Sequence, residues 1–143
     1  MFLSGKTALV TGSTSGIGLA YAKALAAEGA NLVINGFGDE AEIEKERAAL
    51  EQASGAKAIY AGGDLTKTEG CESLMKAALD AFGAVDILIC NAGMQYVAPV
   101  DEFPVEKWDQ IIALNLSSAF HCSRLAIPGM RQKGWGRIIF TDR

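Results

Sequence analysis

The sequence predicts an α/β fold, an open doubly wound parallel sheet with helices on both faces, and three observations carry that prediction. Short apolar runs at residues 7–10, 31–35, 57–61 and 85–90 alternate with longer segments of helical spacing. A glycine-rich turn, Thr11-Gly12-Ser13-Thr14-Ser15-Gly16-Ile17-Gly18, joins the first run to the first helix. A strand, a helix and a second strand in so short a span form a right-handed βαβ unit with parallel strands.

Composition narrows the class further. Half of the 143 residues are hydrophobic, and 16 glycines stand against only 3 prolines, which suits one globular domain over residues 1–143 with a sizeable core. A net charge of −4 and the lack of a dense basic run give no reason to expect nucleic acid or an anionic membrane as partner, so a small soluble ligand is expected. Cys71, Cys90 and Cys122 are odd in number, far apart in sequence and outside any C-x-x-C pair; they read as buried free thiols of a reducing compartment, with no metal site implied. Met1-Phe2-Leu3-Ser4-Gly5-Lys6 is too poor in apolar residues for a signal peptide, and no run approaches the ~20 apolar residues that span a bilayer, so a cytoplasmic protein is expected.

Thr7-Ala8-Leu9-Val10 is the first strand, and the glycine turn after it is a place to bind phosphate. A helix start leaves backbone N–H groups without partners and carries partial positive charge, while glycines let a ligand approach the backbone. Ile17, Ala20, Tyr21, Ala24 and Leu25 give the first helix its apolar spacing, and Glu28-Gly29-Ala30 ends it. After the second strand the chain reads Asn35-Gly36-Phe37-Gly38-Asp39. In βαβ units an acid here binds the adenosine ribose of NAD, and an arginine nearby accommodates the 2′-phosphate of NADP. No cation precedes Lys45, which argues against NADP, and no acid stands at the strand end. Asp39, with Glu42 three residues on, is expected to cap the next helix, which runs to Ser54 with apolar positions at Ile43, Ala48 and Leu50.

The third strand, 57–61, leads into Gly62-Gly63-Asp64-Leu65-Thr66. Asp64 there admits two roles, an acceptor for an adenine amino group beside the ligand crevice or a turn residue. Cys71, Leu74, Met75, Ala78, Leu79 and Phe82 mark one face of a third helix, ended by Gly83. Strand 85–90 is followed by Asn91-Ala92-Gly93, where small residues leave room for a ligand and the Asn91 amide can tie strands together. The connection 94–104 is long enough to border a substrate, with Gln95 its best polar candidate. A long helix is expected from 105 to 131, loosened by Pro128-Gly129, with Trp108, Ile111, Ile112, Asn115 and Ala119 on one apolar face. Asn115 in that stripe would be a buried amide in need of partners. His121, without a second metal ligand at spacing, reads as structural or exposed.

Taken together, Thr11-Gly12-x-x-x-Gly16-Ile17-Gly18, Asp64-Leu65, Asn91-Ala92-Gly93 and Leu114-Asn115-Leu116-Ser117 closely resemble the short-chain dehydrogenase/reductase family over about residues 3–139. Segments 35–45, 91–95 and 103–109 look like its bacterial members acting on D-3-hydroxybutyrate. The resemblance implies a Rossmann-like sheet in strand order 3-2-1-4-5, NAD as cofactor and oxidation of a small hydroxy acid to the keto acid, in a protein that assembles as a homo-oligomer. It implies that Gly12, Ser13, Ser15, Gly16, Ile17 and Gly18 hold the pyrophosphate and its ribose, that Phe37 lies against the adenosine end, and that Asp64 and Leu65 hold the adenine. Asn91, Ala92, Gly93 and Leu114 would line the nicotinamide side, Gln95 would contact the substrate carboxylate, and Asn115 would anchor the water relay of the catalytic tetrad.

The family's proton transfer needs a tyrosine, a lysine that lowers its pKa and a serine that orients the oxygen. The fifth strand begins as Gly136-Arg137-Ile138-Ile139 but continues Phe140-Thr141-Asp142-Arg143, with Arg143 where the serine is expected, and no Tyr-x-x-x-Lys pair follows. Such an ending is what an altered reading frame or a truncated chain would produce, and it leaves Ile138, Ile139 and Phe140 on an open edge prone to association. Three expectations follow: an oxidoreductase by descent lacking its proton-transfer residues, a catalytically silent nucleotide-binding or interaction module, or a partly folded fragment.

Overall fold

A computed structural model describes residues 1–142; Arg143, singled out above, lies outside the described residues. Five strands, β1 (Thr7–Val10), β2 (Asn31–Ile34), β3 (Ala58–Tyr60), β4 (Ile87–Cys90) and β5 (Arg137–Phe140), form one parallel sheet in the order β3-β2-β1-β4-β5. The predicted order and pairing stand, with Val10 opposite both Ile34 and Ile89 in register. Between the strands run α1 (Gly16–Ala27), α2 (Glu40–Ser54), α3 (Thr68–Phe82), α4 (Val105–Ile112) and α5 (Ser118–Lys133).

The strand side chains divide strictly by parity, because successive residues of a strand point to opposite faces. Ala8, Val10, Leu32, Ile34, Ile87 and Ile89 pack with Ala22, Ala26, Ile43 and Leu50 on the α1/α2 face. Leu9, Val33 and Leu88 pack with Leu74, Met75, Ala78, Cys122 and Ala126 on the α3/α5 face. Both faces are covered, which is why these strands read as continuous apolar runs. At the amino edge of the sheet the buried Asp86 ties three elements: it accepts from the Thr7 amide at 2.8 Å and from Lys133 Nζ, beyond the core of α5, at 2.7 Å.

Several sequence expectations change. The buried face of α1 is Gly18, Ala22 and Ala26, flanked by half-buried Tyr21 and Leu25, while Ile17, Ala20 and Ala24 are exposed. Small residues bring this helix close to the sheet, so side-chain size rather than hydrophobicity sets the face. In α2 the buried residues are Ile43, Leu50 and Ser54, and Ala48 is exposed. Asp39 caps that helix as expected, accepting from the Glu42 amide at 3.2 Å.

The largest correction concerns the long helix. Residues Ala113–Ser117 form a π-helical turn between α4 and α5, and α5 continues through Pro128 to Lys133, where Gly134 takes a left-handed conformation. A π turn carries one residue more per turn than the helix around it, so it rotates everything beyond it out of phase. Asn115 lies at the surface rather than buried, and Trp108, ahead of the turn in α4, is also 60% exposed, so the expected apolar stripe does not form. Of the cysteines, Cys71 and Cys122 are buried free thiols, and Cys90 is half-buried.

Candidate functional site

The carboxyl ends of β1, β2, β3 and β4 meet around the glycine turn, and three buried side chains fix them there in two seams. Thr11 Oγ1 accepts from the backbone amides of Asn91 and Ala92, both at 2.9 Å, while the Thr11 amide donates to Ile89 O at 3.0 Å. Asn91 Nδ2 donates to the Gly12 carbonyl at 3.1 Å, completing the seam between β1 and β4. Asn35 makes the second seam. Its Oδ1 accepts from the Gly12 amide at 3.2 Å and its Nδ2 donates to Ala61 O at 3.1 Å. Its backbone exchanges bonds with Ser13, from Ser13 N to Asn35 O at 2.6 Å and from Asn35 N to Ser13 Oγ at 3.0 Å.

These seams decide which amides of the turn face outward. Gly12 and Ser13 spend theirs on Asn35, whereas the first turn of α1 has no earlier helical residues to bond back to, and Leu19 is the first to do so, reaching Ser15 O at 3.1 Å. The Ser15 hydroxyl does not cap this helix. The amides of Gly16, Ile17 and Gly18 therefore stand at the positive end of α1 without a side-chain acceptor, the arrangement that attracts an anion. Gly18 lets α1 pack against the turn, since a Cβ there would overlap the Gly12 carbonyl and come within 2.6 Å of Asn91 Nδ2.

A cleft of about 520 Å³ opens in front of this turn. Of the residues picked from the sequence, it brings together Gly12, Ser15, Gly16, Ile17, Phe37, Asp64, Leu65, Ala92, Gly93 and Leu114 as its lining. Ser13, Gly18 and Asn91 are buried behind the wall and build it without lining it. Phe37 projects with 79% of its surface exposed at one end of the cleft. Asp64 Oδ1 accepts from the Thr66 amide at 3.0 Å and from Thr66 Oγ1 at 2.6 Å, and these two bonds, side chain first, hold its carboxyl below the usual range. Asp64 is thus both a turn residue and the one charged side chain lining the cleft among the described residues.

Gln95 and Asn115 belong to a second cavity, of about 600 Å³, between the 94–104 connection and α4. Its walls include Tyr96, Phe103 and Trp108, stacked edge-to-face in sequence at 5.4 and 6.4 Å between ring centres. The π turn aims Asn115 at the loop: Oδ1 accepts from the Met94 amide and Nδ2 donates to the Met94 carbonyl, each at 2.9 Å. The amide has the partners that were expected of it, at the surface instead of in the core. Adjacent Leu114 faces the first cleft, so the π turn separates the two cavities.

Beneath the cleft, on the α3/α5 face, Cys90 is pushed up to about 12 by burial, and contact with Cys71 together with burial raises Cys122 as well. Cys90 and Cys122 are thereby held neutral at ordinary pH, which makes them packing groups rather than nucleophiles. His121 bridges Thr68 Oγ1, at 3.3 Å, and Arg124 Nε, at 3.2 Å, between α3 and α5, in keeping with a structural role.

Four residues that shape the cleft had no role assigned from the sequence: Thr11, Thr14, Asn35 and Tyr60. Asn35 stands where an acid would bind the ribose, and nothing local indicates that its amide is consumed by Gly12 and Ala61. Thr11 carried a weak signal, as a polar residue ending a wholly apolar strand.

Fold and site together define a Rossmann-like sheet with its crevice at the carboxyl ends of the strands, where open α/β proteins place their ligands. The family model for short chain dehydrogenases matches residues 6–142, and the chain belongs to that family. It is 58% identical over 137 residues to a D-beta-hydroxybutyrate dehydrogenase of Cupriavidus necator, an alignment that covers 96% of this chain and 52% of that protein. The same activity names a relative from Rhizobium meliloti, 52% identical over 94% of this chain and 52% of its own length. Among solved structures, L-sorbose reductase from Gluconobacter frateurii, complexed with NADPH and L-sorbose, superposes with a TM-score of 0.91 at 34% identity, covering 96% of this chain and 52% of that one. The chain spans about half the length of the curated relatives it matches.

Proposed function

We propose that these 143 residues are the cofactor-binding half of an NAD-dependent oxidoreductase acting on a small hydroxy acid of the 3-hydroxybutyrate type, and that by themselves they bind the dinucleotide without turning it over. The observation that carries the reading is the uncapped first turn of α1 opening into the 520 Å³ cleft. In this reading the amides of Gly16 and Ile17 with the Ser15 hydroxyl receive the pyrophosphate, Gly12 allows its close approach, and Gly18 closes α1 against the turn behind them. Phe37 lies at the adenosine end, Asp64 and Leu65 hold the adenine, and Ala92, Gly93 and Leu114 border the nicotinamide, which supplies the hydride chemistry when bound. Ser13 and Asn91 serve by holding the turn.

NAD rather than NADP fits a cleft whose lining, among the described residues, has no cation to meet a 2′-phosphate and one carboxylate, Asp64, to oppose it. The second cavity takes the substrate, with Gln95 toward its carboxylate and Asn115 as anchor for a water relay. No Tyr-x-x-x-Lys occurs anywhere in the 143 residues, so this chain does not itself carry the acid–base pair. That same observation favours the second reading, a silent nucleotide-binding module. β5 pairs on one side only among the described residues, with Ile139 and Phe140 exposed, which supports self-association through that edge.

The test has two parts on the purified chain. NADH titrated by calorimetry gives saturable heat, and D-3-hydroxybutyrate with NAD gives no reduced cofactor. Absence of heat rejects the binding site, and clear turnover rejects the assignment of proton transfer to the absent pair.

A further inference from the structure

We infer that Tyr60, which does not line the cleft, is a positioning residue that sets the preference for a 2′-hydroxyl over a 2′-phosphate by holding the 36–38 loop from behind. The inference rests on the dinucleotide reading above. In βαβ cofactor sites the end of the second strand discriminates between the two riboses. Here the residue at that point, Asn35, has its amide consumed by Gly12 N and Ala61 O, so it cannot reach a ribose. Discrimination passes to the loop that follows.

That loop is unusual in what holds it. Gly36 and Gly38 have φ of +150° and +149°, a conformation that other residues rarely adopt, and they flank the exposed Phe37. Among the described residues, residues 36–38 make two hydrogen bonds, both to their carbonyls: Tyr60 Oη donates to Gly36 O at 2.5 Å, and Thr14 Oγ1 donates to Phe37 O at 2.8 Å. Thr14 lines the cleft, whereas Tyr60, the last residue of β3, stands behind the loop. Its ring also lies against Gly62, where a Cβ would meet the phenol oxygen at 3.4 Å, so it is a strut between the loops that follow β2 and β3. Two glycines around an exposed aromatic have little intrinsic rigidity; without the phenol hydroxyl one carbonyl is released, and the wall that keeps a 2′-phosphate out can yield.

Tyr60→Phe tests this, since it keeps the ring and removes one hydroxyl from a side chain that is 39% exposed. Dissociation constants for NADH and for NADPH are measured on the full chain and on the variant by titration, with amide hydrogen exchange over residues 35–39 recorded in parallel. The expected result is NADH binding weakened about threefold to tenfold, the worth of one hydrogen bond, with NADPH affected less, so that the ratio of the two constants falls. Faster exchange over residues 35–39 with an unchanged unfolding midpoint accompanies it. If the unaltered chain binds no NADH, the dinucleotide reading itself fails and this inference with it. If the unaltered chain binds NADH and the variant keeps the same affinities, ratio and exchange, the role of Tyr60 alone is overturned. Equal weakening of both cofactors also overturns it, because that is what a merely structural role gives.

Discussion

The two cavities of this molecule lie on either side of one π turn and are built in opposite ways. The cleft before the glycine turn is walled by backbone held from behind, by Thr11, Asn35 and Asn91 side chains that are each about 2% exposed. The cavity beside α4 is walled by side chains at the surface, Tyr96, Val100 and Trp108 among them, and a pair of bonds from exposed Asn115 to Met94 secures its loop. Buried, fully paired polar groups fix a geometry because leaving any one unpaired costs more than a surface bond can. The difference suits a fixed cofactor cradle beside an adaptable substrate wall.

The severest way to break that contrast is Gly18→Val, which forces a side chain into the Gly12 carbonyl and Asn91. We expect a loss of about 3 kcal/mol or failure to fold, read by urea unfolding. Asn35→Ala comes next: it strands the Gly12 amide and the Ala61 carbonyl, costing about 2 kcal/mol and weakening NADH binding by loosening the turn. On the other side, Asn115→Ala removes two bonds from an exposed site and should cost only about 1 kcal/mol, with faster amide exchange confined to the neighbourhood of Met94. A cost for Asn115→Ala equal to that of Asn35→Ala would erase the distinction between the two regions.

How far the sequence disclosed this contrast depends on range. The glycine turn, the cap at Asp39 and the core face of α3 follow from local pattern, strand order follows from the family resemblance, and all appear as expected. Ten of the residues lining the first cleft were legible, from short motifs at strand ends, which converge wherever parallel strands do, and from the family resemblance those motifs carry. What was not legible depends on contacts between distant segments. Asn35 reaches 23 residues back to Gly12 and 26 forward to Ala61, and no local pattern encodes that. The π turn at Ala113–Ser117 defeated a helical-period reading because the period itself changes there, which placed Asn115 in a core it does not enter. On α1 the reading followed Ile17 and Leu25, while the close approach to the sheet belongs to Gly18, Ala22 and Ala26.

Titration perturbs the first cleft more gently. Burial raises Cys90 from an ordinary value of 9.0 to about 12, so its contribution is fully present below pH 9 and is lost as pH rises through about 12. Cys90→Ala should flatten that alkaline decline in the unfolding midpoint. Asp64 shows the opposite sign: its lowered value means that its contribution is present above the ordinary 3.8 and disappears as pH falls through the lowered value. Because Asp64 is exposed, Asp64→Asn should change acid stability only slightly, and its main effect should fall on NADH affinity.

The most direct measurement is calorimetric titration of NADH into the purified chain at neutral pH, alongside the Gly18→Val and Asn115→Ala variants. The account predicts one saturable site in the unaltered chain, its loss in Gly18→Val and its retention in Asn115→Ala. No heat from the unaltered chain, or equal loss in both variants, would contradict the claim that the fixed cradle alone holds the cofactor.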